Sequence, residues 1–170
     1  MKNILFLILV TVFCHAHPHT FIDVDVNVSG DKHIDKITIQ WKFDEMTSQT
    51  LLADFDADTN GLMDAKETLD FKKTVFDDLI EFSYFTHLKI AGKKVNISPI
   101  DLQLFKKQRY FIVQFSLNLK SFSTQKKSIG FWDENNMCAL KIHKAQVHSA
   151  FPYVIKEVDN AYYYGYLLEL

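Results

Sequence analysis

The stretch Ile22-Asp-Val-Asp-Val-Asn-Val28, followed by Ile37-Thr-Ile-Gln-Trp-Lys-Phe43, decides the fold of this chain. In both runs apolar side chains alternate with polar ones, which is the period of a β-strand with one buried face. The Ser29-Gly30-Asp31 stretch between them is typical of a turn. The two runs therefore predict a β-hairpin that packs one face against the core.

Beyond Asp44 the hydrophobic period changes from that of a strand to that of a helix. Apolar residues recur at helical spacing on both sides of an acidic loop, which predicts two helices within about residues 44–83. Strand patterns then resume at Tyr84–Ile90, Phe111–Leu119, Ser128–Trp132 and Met137–His143. The predicted fold class is α+β, an antiparallel β-sheet or sandwich with a helix–EF-hand loop–helix insertion, formed by residues 17–170 as a single globular domain.

The acidic loop between the two predicted helices matches the twelve-residue EF-hand calcium loop. Calcium prefers several hard oxygen ligands, and alternate residues of such a loop point theirs inward, while Gly61 takes the sharp turn. Sensor EF-hands work in pairs, and the sequence contains no second loop, so we expect one structural Ca²⁺ that braces the helix pair. The alternative is an acidic surface turn that binds no ion. The predicted ligands are Asp56, Asp58, Asn60, the backbone carbonyl of Leu62, Asp64 and Glu67.

Residues 1–16 have the pattern of a cleavable signal peptide. Lys2 supplies the positive charge, Ile4–Phe13 is the apolar run, and Cys14-His15-Ala16 places small residues where cleavage requires them. The apolar run is too short for a membrane anchor, which takes about 20 residues. We therefore expect export to the periplasm and a mature chain that does not span the membrane. Cleavage would leave Cys138 as a lone, buried thiol.

Cleavage after Ala16 would make His17 the N-terminal residue of a His-Pro-His sequence. The α-amine and imidazole of His17 could then chelate one metal ion, with His19 as a further nitrogen ligand. Imidazole suits Zn²⁺, Ni²⁺ and Cu²⁺. The square-planar site of peptides with histidine at position three is disfavoured, because Pro18 has no backbone proton to lose. The alternative is a solvated terminus that binds no metal.

Composition and motifs exclude other classes of function. The formal net charge of −2 gives no basic excess for binding nucleic acid. The chain contains no nucleophile motif, phosphate-binding glycine loop or metalloprotease signature, so we do not expect an enzyme. His87 shares a predicted strand face with Phe85 and Lys89, which indicates a surface position.

Several of these motifs occur together in one known family. The chain resembles a bacterial family of periplasmic proteins of unknown function, described as transport-system periplasmic components, that accompany nickel/cobalt/zinc-type permeases. The resemblance spans Ala16 to about Leu119, and Phe131-Trp132-Asp133 departs from the family's Tyr-Asp-Pro-Thr-Tyr-like segment. The motifs that carry it, besides the calcium loop, are Ala16-His17-Pro18-His19, Phe21-Ile22-Asp23, Trp41-x-Phe43-Asp44-Glu45 and Tyr84-Phe85-Thr86-His87-Leu88.

The resemblance implies a periplasmic accessory protein that binds a divalent transition metal for an inner-membrane permease. In that hypothesis His17 and His19 capture the metal and calcium braces the helices. One alternative is a calcium-dependent interaction module without a transition metal. Another is a copper oxidoreductase that uses the N-terminal histidine as a chelating brace, which requires a second histidine poised across from the first.

Overall fold

A computed structural model describes residues 18–170 of the chain, so the predicted signal peptide and His17 lie outside the described residues. Within this range the chain forms strands, two α-helices and short helical segments of other types. The strands are β1 (Thr20–Ser29), β2 (Lys36–Phe43), β3 (Thr86–Ile90), β4 (Lys93–Val95), β5 (Ile100–Lys107), β6 (Tyr110–Asn118), β7 (Lys127–Phe131), β8 (Cys138–Lys141), β9 (Val147–Ser149), β10 (Val154–Asp159) and β11 (Tyr164–Glu169).

The strands form two sheets whose residues share one hydrophobic core. The first sheet has the order β5-β6-β2-β1-β8, with β9 also pairing with β1, and the second has the order β10-β11-β7-β3-β4. Most neighbours are antiparallel, but β8 and β9 both run parallel to β1. The predicted α+β class with antiparallel sheets and a helical segment is confirmed. The parallel pairing of β8 and β9 with β1 was not predicted.

The predicted N-terminal hairpin is present as β1 and β2. The two strands pair antiparallel with Val24 opposite Trp41, and their alternate apolar residues are buried. Trp41 is fully buried, and its ring centroid lies 4.9 Å from that of Phe115 and 5.9 Å from that of Phe85. Because Phe85 immediately precedes β3 in the second sheet, the hairpin brings both sheets into the same core.

The helices begin directly after the hairpin. The first helix, α1, spans Glu45–Phe55 and the second, α2, spans Ala65–Phe71. The second helix predicted within about residues 44–83 ends earlier than that range, because a π-helical segment, Lys72–Phe76, and a 3₁₀ segment, Asp77–Phe85, follow α2.

The 3₁₀ segment ends in left-handed backbone, which explains why β3 starts at Thr86 rather than at the predicted Tyr84. Ser83, Tyr84 and Phe85 have φ angles of 52°, 51° and 48°. Such angles are costly for side chains other than glycine. Tyr84 and Phe85 are both buried by this reversal, and the apolar burial offsets part of the strain.

The C-terminal part of the second sheet, β10 and β11, was not predicted from the sequence. These strands form an antiparallel pair from Val154 opposite Glu169 to Asp159 opposite Tyr164.

Among residues 18–170, no helix is both long and apolar enough to cross a membrane.

Candidate calcium loop and N-terminal histidines

The predicted calcium loop lies between α1 and α2, and aromatic packing fixes both helices beside the first sheet. The rings of Phe55, in the last turn of α1, and Phe71, at the end of α2, are 5.2 Å apart. Phe71 is buried and lies 5.5 Å from the ring of Phe111 on β6. The two ends of the loop are therefore held by the core.

Three of the predicted ligands converge in this loop. Asp56, Asp58 and Glu67 each place a carboxylate oxygen so that these atoms lie within 4.8 Å of one another. Calcium–oxygen distances are about 2.3–2.6 Å, so two oxygens on opposite sides of one ion are about 5 Å apart. The spacing of the three carboxylates fits a single calcium ion between them.

The turn of the loop is set by Gly61. Its φ of +75° is in the left-handed region, and its backbone N–H donates to both carboxylate oxygens of Asp56, at 3.0 and 3.2 Å. A side chain at this position would be strained by the backbone angle alone. Gly61 thus aims the Asp56 carboxylate towards the interior of the loop.

Glu67 ties the end of the loop to its beginning. One carboxylate oxygen accepts from the N–H of Ala57 at 2.8 Å, and the other accepts from the N–H of Asp64 at 2.9 Å. Asp56 and Glu67 are only 5% and 6% exposed. Two largely buried carboxylates at such close range repel each other, so a hard divalent cation would lower the free energy of the loop.

Two of the other three predicted ligands, Asn60 and Asp64, make hydrogen bonds within the loop. Asn60 lies beside Asp58, since its amide donates to Asp58 Oδ2 at 2.6 Å and its carbonyl accepts from Leu62 N–H. Asp64 caps α2 through an oxygen that accepts from the N–H groups of Lys66 and Glu67. The Leu62 side chain is exposed. Asn60 and Asp64 are therefore within the loop, but both have hydrogen-bonding roles of their own.

Of the predicted transition-metal ligands, only His19 is within the described residues. His19 is exposed just before β1, and its backbone N–H donates to the carbonyl of Met137 at 2.9 Å. The proposed chelate with His17 lies partly outside the described residues. Within residues 18–170, the carboxylates of the calcium loop are the one group of three or more candidate metal ligands.

Cys138, which follows the Met137 that bonds to His19, is not suited to be a transition-metal ligand. Burial, with a smaller contribution from the Asp133 carboxylate, raises the pKa of the Cys138 thiol to about 12. A thiol ligates metals as the thiolate, and this one stays protonated at neutral pH. Cys138 is partly rather than fully buried, and β8 ends at Lys141, before His143.

His87 is buried, so its predicted surface position is wrong. Its ring stacks on Trp132 with centroids 4.4 Å apart, and Trp132 stacks in turn on Tyr163 at 4.9 Å. Trp132 and Tyr163 cover the face of the sheet on which His87 lies. The alternation along β3 indicates which residues share a face, but it did not predict which face is exposed to solvent. Burial lowers the pKa of His87, against opposing contributions from the Trp132 carbonyl and Glu134.

Comparisons with known proteins identify similarity without an assigned activity. A family model described as a protein of unknown function, DUF1007, matches residues 3–157. A stretch of 47 residues, 28% of this chain, is 40% identical to an uncharacterized 15.5 kDa protein in the trpE 3′ region of Spirochaeta aurantia. The match covers 34% of that protein, about a third of its length. No solved structure matches the chain significantly.

Proposed function

The chain belongs to the DUF1007 family of proteins of unknown function, and we propose that it is a periplasmic accessory protein. It binds a divalent transition metal of the zinc, nickel and cobalt class for an inner-membrane permease. One calcium ion in the Asp56–Glu67 loop braces its helices. The protein is a carrier or adaptor in this proposal, not an enzyme.

The observation that carries the calcium part is the convergence of three carboxylates in a loop of EF-hand sequence. Asp56, Asp58 and Glu67 come within 4.8 Å of one another. Gly61, at the turn position, donates its N–H to the first of these carboxylates. A single site outside the cytosol can have a dissociation constant of about 10⁻⁴–10⁻³ M and still be filled, which suits a structural ion.

The transition-metal part is supported by the chemistry of the expected N-terminus. Processing after Ala16 would place an amine and two imidazoles within three residues. These are borderline nitrogen ligands, which zinc, nickel and copper prefer to the oxygen set of the calcium loop. The nitrogen ligands of the N-terminus would therefore select transition-metal ions, and the oxygen ligands of the loop would select calcium.

The permease part rests on the resemblance to periplasmic proteins that accompany metal permeases. The His17-Pro18-His19 sequence at the expected cleavage site is among the motifs that carry this resemblance. A carrier that receives its metal at the processed terminus would expose the site only after export. Metal binding in this proposal therefore requires cleavage directly before His17.

The decisive experiment compares three forms of the protein, each with its N-terminus verified by mass spectrometry. They are the chain starting at His17, the same chain extended by one alanine, and the His17→Ala/His19→Ala variant. Zn²⁺ titration by calorimetry should show the highest affinity for the first form. The extended form keeps both imidazoles but moves the amine out of the chelate, so its affinity should be lower.

Acidity provides an internal check on the same proteins. The imidazoles, with a pKa of about 6.5, and the α-amine, with a pKa of about 8, must lose protons to bind metal. Zinc affinity of the form starting at His17 should therefore fall as the pH is lowered. Equal affinity in all three forms would overturn the assignment of the metal to the N-terminus.

A further inference from the structure

A lysine of the first sheet lies over the turn of the calcium loop. Lys106 is the penultimate residue of β5, and its side chain passes beside Gly61. A Cβ atom at Gly61 would be 3.2 Å from Lys106 Nζ and 3.3 Å from Lys106 Cδ. A cation from a strand that is distant from the loop in the chain therefore lies against the residue that orients the Asp56 carboxylate.

The register of β5 explains this placement. Side chains alternate along a strand, so Lys106 shares the face of the buried Leu104, and Lys107 points to the opposite face. Leu104 belongs to the same buried core as Phe71, the last residue of α2, and α2 lies beside β5. The strand therefore directs the Lys106 side chain towards the calcium loop and the Lys107 side chain away from it.

The ammonium of Lys106 is close to the loop carboxylates without touching them. Among residues 18–170, no carboxylate lies within 4.0 Å of Lys106 Nζ. The contacts through Gly61 give an upper limit to the distance. The 3.2 Å from Nζ to the added Cβ, two covalent bonds of about 1.5 Å and the 3.0 Å hydrogen bond to Asp56 place Nζ within about 9 Å of that carboxylate.

A positive charge at this distance should weaken calcium binding. The carboxylates of the loop are present before and after binding, so the change on binding is the repulsion between the ammonium and the divalent ion. In a medium like water, a unit charge about 8 Å from a divalent ion lowers the affinity for that ion about fivefold, and dissolved salt reduces this effect. The effect is large enough to measure and small enough to leave binding intact.

The aliphatic part of Lys106 has the opposite effect. Its Cδ and Cε atoms would lie 3.3 and 3.7 Å from a Cβ at Gly61, so the side chain covers the open side of this turn. Packing of this kind restricts the turn and favours the arrangement of the loop that binds calcium. A variant that tests the charge must therefore keep the aliphatic part, which methionine does and alanine does not.

We propose that Lys106 sets the calcium affinity of the loop through its charge, because the ammonium repels the bound ion and keeps the site weak. This inference rests on the calcium site of the function proposed above. Dissociation constants of about 10⁻⁴–10⁻³ M are typical of extracellular calcium sites, and the charge of Lys106 moves the loop towards that range. Lys106 is thus an affinity-determining residue that lies outside the EF-hand sequence.

The test is calorimetric titration with CaCl₂ of the wild type, Lys106→Met and Lys107→Met at an ionic strength of about 0.02 M. Lys106→Met should bind calcium about threefold more tightly than the wild type, because it loses the charge and keeps the aliphatic chain. Lys107→Met is the matched control, since it makes the same change in net charge on the opposite face of β5. Its calcium affinity should differ from that of the wild type by less than about 1.5-fold.

Ionic strength distinguishes repulsion by a charge from a change in the shape of the loop. In about 0.5 M KCl the Debye length falls to about 4 Å, so the difference between Lys106→Met and the wild type should nearly vanish. A change in the shape of the loop would persist in salt. Lys106→Gln also removes the charge and should show the same gain, which keeps the test decisive if the methionine variant does not fold.

Equal calcium affinity of the wild type and the neutral Lys106 variants at low ionic strength would overturn this assignment. An equal gain in Lys107→Met would also overturn it, because the gain would then reflect net charge alone, and so would a gain that salt does not reduce. In each of these cases the loop still binds calcium, and the proposed function is unaffected. Failure of all the proteins to bind calcium would overturn both.

Discussion

Glu67 closes the calcium loop with a carboxylate whose two oxygens reach opposite ends of it, at Ala57 and Asp64. We predict that Glu67→Gln lowers calcium affinity at least about tenfold, because an amide offers one oxygen where the carboxylate offers two charged ones. Calorimetric titration with CaCl₂ measures the change.

Glu81→Gln is the matched control for this substitution. Glu81 is exposed and lies outside the loop, so the same change in net charge there should leave calcium affinity unchanged. If both variants bound calcium as the wild type does, the Glu67 carboxylate would have no role in binding.

His87 gives the molecule a predictable dependence on pH. Its pKa is lowered in the folded state, so on acidification the unfolded chain takes up the proton first, at a pKa of about 6.5. The free energy of unfolding should therefore fall between pH 7.5 and 5.5, by up to about 1.4 kcal/mol from this group. Urea unfolding at both pH values measures it.

The variant that isolates this contribution is His87→Gln, which cannot titrate. Its stability should change less between the two pH values than that of the wild type. His33→Gln, in an exposed turn, should retain the pH dependence of the wild type. A full dependence in the His87 variant would assign the effect to other groups.

For single residues, the sequence predicted the location of a side chain in the chain's loops better than its burial by distant residues. The spacing of Asp56, Asp58 and Glu67 was sufficient to place them in one loop, because a ligand motif is local in the chain. The burial of His87 was not predictable, because it depends on Trp132 and Tyr163, which are distant in the chain. Binding of calcium to the loop and of zinc to the N-terminus stay predictions.

Among the elements, α1 contacts the first sheet through several groups, of which the Ser48 hydroxyl is fully buried. Ser48 is fully buried, donates to the Phe43 carbonyl at 3.1 Å and accepts from the Phe111 N–H at 2.9 Å. Ser48→Ala would remove one hydrogen-bond partner from each of these two backbone groups, and we predict a loss of about 2 kcal/mol in the free energy of unfolding.

Thr50→Ala, on the same helix, is the comparison. The exposed Thr50 hydroxyl donates only to the Met46 carbonyl one turn earlier, so its loss should change stability by no more than about 0.5 kcal/mol. Denaturant unfolding of both variants makes the test. Similar losses in the two would show that Ser48 is not an anchor.

The sequence predicted elements well where one period extends over several residues. The β1–β2 hairpin and α1 follow from alternation and helical spacing, which are local properties. The break after α2 was missed, because the apolar spacing of Val75, Phe76 and Leu79 continues while the backbone changes type. The parallel pairing of β1 with β8 and β9 leaves no local pattern at all.

For the whole molecule, calcium should act as a stabilising ligand. At a free concentration ten times the dissociation constant, binding to the native state alone adds about 1.4 kcal/mol. In a domain of this size that raises the thermal midpoint by about 3–6 °C. Calorimetric scans in EDTA and in excess calcium measure it, with Glu67→Gln as the control. An equal thermal midpoint in EDTA and in excess calcium would argue against calcium binding by the native state.

The parallel edge of β1 also has a consequence for the order of folding. β1 can pair with β2 as soon as both exist, but its other edge waits for β8 and β9, which lie near the far end of the chain. Closing so long a loop is entropically costly and slows folding. A polypeptide that emerges N-terminus first therefore keeps its first sheet incomplete until residue 149 has followed. Until then β1 has only one of its two neighbouring edges paired, so a shortened chain that ends before β8 should leave this edge exposed.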